Sequence, residues 1–330
     1  MTNLWLRGCL LCVPLTAFCG GGVWGQDDSK PPVVKAAVGL VPLNEMAATD
    51  RYLGEEGGLY GEGKNVPPEG QRRAAEAALH RIRPRDAAGV PSDDGRIVLI
   101  SLSMSNATQE FSTFKPIADR DSRKSSRLTI VDCAQGGQTM ARWADPQAPP
   151  WGEALRRLEA ANVTPAQVQV AWIKPANATP RGSLKEHGHL LYRDTLTVLQ
   201  NAKARFPNLQ IAYLSSRIFA GYGERPLNPE PYAYEGAFVV RWLIRDQIDG
   251  EPRLNADAAK GQVRAPVLLW GPYLWANGPM PRKSDGLVWL PEDFADDMTH
   301  PSRSGREKVA KQLLEFFATD PLAKPWFAGE

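Results

Sequence analysis

Arg96-Ile97-Val98-Leu99-Ile100-Ser101-Leu102-Ser103-Met104-Ser105-Asn106 opens the ordered pattern of this 330-residue chain. Residues 96–102 form a short apolar run after the turn signal Asp93-Asp94-Gly95. A run this short, apolar at successive positions and bounded by turn residues, reads as a strand buried on both faces.

Similar runs recur downstream at residues 128–133, 168–173, 209–214 and 265–270. Helical segments separate most of them. They span 150–161, with Leu155, Leu158 and Ala161 on one face, then 189–205 and 232–248. A helix over 71–82 precedes the first strand, and one over 302–319 closes the chain with Val309, Leu313, Phe316 and Phe317 facing inward. Strands alternating with helices predict an α/β fold: a three-layer α/β/α sandwich around a flavodoxin-like parallel sheet of about five strands. In such sheets the chemistry gathers at the carboxyl ends of the strands.

Residues 1–25 read as an export signal: Arg7, an apolar run from Cys9 to Cys19, and a small-residue end before Gln26-Asp27-Asp28. The run is short for a membrane span, so none is expected once the signal is removed, and the expected location is periplasmic or secreted. Phe18 before Cys19 is bulky where a lipidation site takes a small residue. Three of the four cysteines fall in this segment, so the mature chain keeps Cys133 alone and forms no internal disulfide. Residues 26–95 read as an N-terminal arm plus helix, and 96–330 as the main domain. A formal charge of +2 gives no electrostatic case for nucleic acid.

The candidate chemistry lies past the strands. Ser105 follows the first. Gly136-Gly137 follows the second, and Lys174-Pro175-Ala176-Asn177 the third. Near the C-terminus stands Asp297-Met298-Thr299-His300-Pro301-Ser302. A carboxylate three residues before an imidazole can accept from one ring nitrogen and leave the other free as a base. Such a base implies a nucleophile, here Ser105, with Ser103 as its rival on the same side of the strand. Each signal alone is weak, but their order along an α/β chain is informative.

In that order the chain resembles the SGNH (GDSL-type) hydrolases over roughly residues 96–320. Ser103-Met104-Ser105-Asn106 stands where that family has Gly-Asp-Ser-Leu, and the last block, Asp297 to Ser302, carries the strongest match. The resemblance implies Ser105 as nucleophile, His300 as base, Asp297 as its orienting carboxylate, and Gly137 with Asn177 as oxyanion donors. Lys174 is the alternative to Asn177. No metal or organic cofactor is implied.

The long segment 215–250 joins the fourth strand to a helix. Arg217, Tyr222, Tyr232 and Tyr234, with Glu235, would suit a sugar ring there, and Trp275 and Trp289 would extend the same wall. His187-Gly188-His189 is a poor metal pattern without further ligands. The expected protein is an exported serine esterase that deacylates, in particular deacetylates, a small-molecule or polysaccharide ester. The alternative is a catalytically silent carbohydrate-binding protein on the same scaffold.

Overall fold

The computed structural model describes residues 37–223 and 227–329, so the export-signal reading of residues 1–25 lies outside the described residues. Two short antiparallel strands in the arm, β1 (Arg51–Tyr52) and β2 (Glu55–Glu56), precede helix α1 (Glu69–Leu79). The main sheet follows, with β3 (Ile97–Leu102), β4 (Leu128–Val131), β5 (Val168–Ile173), β6 (Ile211–Leu214) and β7 (Val267–Trp270). All four pairings are parallel, and the strand order is β4-β3-β5-β6-β7. This is the expected five-stranded parallel sheet.

Helices cover both faces: α2 (Ser105–Ala118), α3 (Met140–Ala144), α4 (Pro149–Ala160), α5 (Leu184–Arg205), α6 (Tyr232–Ile248) and α7 (Arg303–Thr319). Helix α2 packs on α7, and α5 packs on α3 and α6. Every residue of β3 is buried, as a strand covered on both faces requires. Each of its Ile, Val and Leu side chains contributes roughly 1.5–3 kcal/mol by leaving water. The chain passes from β3 out to β4 and returns on the other side of β3 as β5. That reversal makes the gap between the ends of β3 and β5 the topological switch point, where a crevice opens.

Several elements differ from the sequence expectation. Helix α2 was not expected, because its first turn is polar and Pro116 lies inside it. Pro116 stands in the last turn, where it forfeits one hydrogen bond without breaking the helix. Helix α5 starts at Leu184 rather than 189, behind a capping box in which Ser183 and Glu186 satisfy each other's backbone N–H groups. On α4 the buried face is Trp151, Ala154 and Leu158, while Leu155 is exposed.

The arm packs along α6 and the open edge of β7. Leu43 N–H donates to the Tyr273 hydroxyl (3.0 Å), and Trp270 Nε1 donates to the Leu59 carbonyl (2.7 Å). The wholly buried Arg241 donates to the Glu55 carboxylate at 2.6 Å and to the Glu56 and Gly58 carbonyls. Side chains satisfy the β7 edge: Gln71 Nε2 donates to Leu268 O (2.7 Å), and Leu268 N–H donates to Gln247 Oε1 (2.7 Å). An unpaired edge strand invites pairing with another chain, and this cover removes that opening.

Candidate active site

Met104 is extended and caps α2 without a side-chain bond, so the helix starts abruptly at Ser105. The backbone N–H groups of its first turn lack intrahelical acceptors, and that of Ser105 has no acceptor among the described residues. The helix dipole adds partial positive charge at the same end. Ser105 is half-buried.

The loop before α7 brings the imidazole of His300. Asp297 Oδ1 accepts the backbone N–H groups of Thr299 (3.0 Å) and His300 (2.9 Å). This folds residues 297–300 into a turn, with Met298 at φ +51°. The turn places His300 Nδ1 2.6 Å from Asp297 Oδ2 and His300 Nε2 2.7 Å from Ser105 Oγ. Partial burial pushes the Asp297 carboxyl up. The two backbone N–H groups and the imidazole outweigh this and hold it at about 2. The carboxylate therefore stays ionised and fixes Nδ1 as the protonated nitrogen, which leaves Nε2 to accept from Ser105. The imidazole and the carboxylate are 25% and 24% exposed, so small molecules reach them.

Ser103 does not compete. Its side chain is buried, and its hydroxyl donates to the Lys174 carbonyl, away from any base.

The loop after β4 is tied back to β3. Ser101 Oγ accepts from Cys133 N–H and Ala134 N–H, both at 3.1 Å, and donates to Asp132 (2.5 Å). Gln135 N–H donates to Ser103 O at 3.0 Å. Just beyond these ties stand Gly136 and Gly137, both exposed. Gly137 has φ +74°, a conformation that glycine adopts without strain. A Cβ at either position would meet nothing within 4 Å. Among the described residues the Gly137 N–H has no acceptor. The Ser105 and Gly137 N–H groups are thus both unspent, each just past the end of one of the neighbouring strands β3 and β4.

Both candidate third donors are engaged in structural bonds. Asn177 accepts Ala141 N–H (2.9 Å) on Oδ1 and donates Nδ2 to Asp194 (2.8 Å), which ties the loop after β5 to α3 and α5. Lys174 is buried and donates to both oxygens of Glu110 on α2, at 2.5 and 2.6 Å. Burial pushes the Glu110 carboxyl up and the Lys174 ammonium down, and their mutual contact opposes both shifts. Asn177 thus braces the loop through its oxygen and one of its two amide N–H groups.

The expected aromatic wall is corrected in part. Tyr234 is buried, with its hydroxyl on Val41 O (2.8 Å). Trp275 and Trp289 are fully buried and donate to Glu230 and the Leu274 carbonyl. Their polar tips find partners inside the core, so the rings have no reason to face a ligand. Tyr222 and Tyr232 remain half-exposed. Tyr222 donates to Trp289 O (2.8 Å) and packs on Phe294, and the adjacent Gly223 abuts the turn: a Cβ there would lie 3.0 Å from Met298 O. Tyr232 stands edge-on to His187, which contacts Glu235, and Tyr52 donates to the other Glu235 oxygen (2.6 Å). Arg217 is 3% exposed. Sequence reading also missed Asn106, a buried side chain that donates to Thr299 O; its position directly after the candidate nucleophile was the available signal.

No protein-family model and no curated protein matches the sequence. Among solved structures, the chain is similar to a protein from Slackia heliotrinireducens assigned as an SGNH hydrolase, with TM-score 0.35, 15% identity, and coverage of 67% of this chain and 97% of that one. It is similar also to an assigned acylhydrolase from Bacteroides fragilis (TM-score 0.37, 14% identity, 78% and 100% covered). A third likeness is to a Salmonella lipopolysaccharide acetyltransferase periplasmic domain (TM-score 0.34, 10% identity, 74% and 95% covered). The chemistry of the site rests on its own geometry.

Proposed function

We propose that the protein is an exported serine esterase of the SGNH type that hydrolyses an acyl ester, with acetylated carbohydrate as the substrate class. The supporting observation is the unbroken chain from Asp297 through His300 to Ser105, with 2.6 and 2.7 Å between successive partners. A silent binding protein has no use for a serine held on a base whose own carboxylate is ionised.

In this reading His300 Nε2 takes the Ser105 proton as Oγ attacks the ester carbonyl. The tetrahedral oxyanion is held by the N–H groups of Ser105 and Gly137, each such donor contributing about 3 kcal/mol to the transition state. The carbon–oxygen bond to the alcohol breaks, and the imidazolium returns the proton to the leaving alkoxide. Water then attacks the acyl-serine, giving its proton to His300, and Ser105 leaves with that proton as the free acid departs. Asp297 stabilises the imidazolium in both halves and stays ionised throughout. The half-exposed Tyr222 and Tyr232 support a sugar ring as the alcohol. The pattern over residues 1–25 supports export.

The test is hydrolysis of a chromogenic aryl acetate by the full chain, Ser105→Ala and His300→Ala. The expected result is turnover by the wild type and loss of several orders of magnitude in both variants. Unchanged activity in Ser105→Ala would remove Ser105 from the nucleophile's role.

A further inference from the structure

Arg217 lies three residues past β6, in the segment that runs on to Gly223 and the His300 turn. It is 3% exposed, yet among the described residues its guanidinium makes no hydrogen bond and no ion pair within 4 Å. Its Nε is buried without a partner, while Nη1 and Nη2 are not among the closed-off, unpartnered atoms. A buried guanidinium carries five N–H donors in a rigid fork, and leaving them unmade is costly.

The surrounding charges are already committed. Glu110 gives both oxygens to Lys174. Glu230 accepts Ala220 N–H (3.0 Å) and Trp275 Nε1 (2.8 Å) on one oxygen and Tyr234 N–H (3.0 Å) on the other. Both carboxylates act on Arg217 through space, against a burial that disfavours its charge. Lys174 adds like charge. The cluster therefore offers a ligand one thing it does not use itself: a planar fork of donors. Its neighbours are also those of the candidate site. Glu110 belongs to the helix that starts at Ser105, and Lys174 directly follows the strand beside β3.

We propose that Arg217 docks a carboxylate carried by the ester substrate, so that the enzyme selects acidic over neutral esters. A carboxylate matches the fork through two parallel N–H···O bonds and supplies the acceptors that Arg217 lacks. The inference rests on the serine-esterase reading, and its test separates the two.

The wild type is assayed on two matched pairs. Meta-acetoxybenzoate against meta-acetoxybenzamide puts the carboxylate on the alcohol side. Para-nitrophenyl hemisuccinate against para-nitrophenyl butyrate puts it on the acyl side. In at least one pair kcat/KM is expected to be about tenfold or more higher for the charged member. The ratio falls to near one in Arg217→Gln and stays partly above one in Arg217→Lys. A wild-type ratio near one in both pairs overturns the proposal, whether or not the variants fold. Calorimetric binding of meta-acetoxybenzoate and its amide to Ser105→Ala covers the case in which no ester turns over. Preference for the carboxylate, lost when Arg217→Gln is added, upholds the site although the esterase reading has failed. Equal binding of the two, or none, overturns it.

Discussion

Asn106 Nδ2 donates to the Thr299 carbonyl at 3.1 Å, inside the protein. One partner follows Ser105 and the other precedes His300, so this single bond links the start of α2 to the turn that carries the imidazole. Asn106→Ala is expected to lower kcat on a small acetyl ester by about ten- to a hundredfold through misplacement of the pair, with KM changing little. Steady-state kinetics separate the two parameters. A raised KM with unchanged kcat would assign Asn106 to substrate binding instead.

Asp297 sets the pH behaviour. Its folded value of about 2 lies below the ordinary aspartate range. Its contribution to stability is therefore complete above that ordinary range and is lost as pH falls through the folded value. Between neutral pH and about 4 the carboxylate stays charged, so Asp297 itself causes no loss of activity there, and its own loss sets in only as pH approaches about 2. Asp297→Asn is expected to cost roughly ten-thousandfold in kcat through the wrong imidazole tautomer. A pH–rate profile of the two proteins checks both statements.

The Lys174–Glu110 pair lies wholly inside the protein. Glu110→Leu leaves Lys174 buried beside Arg217 with no carboxylate between them, and is expected to cost about 3–5 kcal/mol. Adding Lys174→Met should recover most of that loss, because the second change removes the stranded charge. Urea unfolding of the single and double variants measures it.

At the β7 edge, Gln247 accepts Leu268 N–H and donates to the carbonyls of Leu254 and Pro266, both at 2.9 Å. Gln71 serves one carbonyl there and the Gln247 side chain. Gln247→Leu should therefore destabilise more than Gln71→Leu, with the latter costing about 1–3 kcal/mol from the orphaned Leu268 carbonyl. Both variants should form more aggregate on partial unfolding, read by light scattering.

The parallel sheet was legible because each strand is a short apolar run, and burial on both faces leaves that mark whatever the partner. The candidate site was legible where local spacing carries the chemistry, as in Asp297 and His300. Ser105 followed from its place past the strand that ends at Leu102. Side-chain direction was not legible. Asn177 and Lys174 sit past the right end of β5, but their heads turn to Asp194 on α5 and Glu110 on α2, directions that strand position alone does not give. Tyr234, Trp275 and Trp289 have the composition of a sugar platform, and only the packed structure shows them filling the core. Helix α2 escaped notice because propensity is a weak prior against packing, and its partner is α7, at the other end of the domain.

The arm along α6 and β7 also fixes an order of events. Its tie from Tyr52 reaches Glu235, 183 residues away, and its tie from Asn44 reaches Ser284, 240 residues away. The arm is synthesised early, yet its partners emerge only when most of the chain exists. The first part of the described chain to be made therefore completes its contacts only after most of the chain has been made.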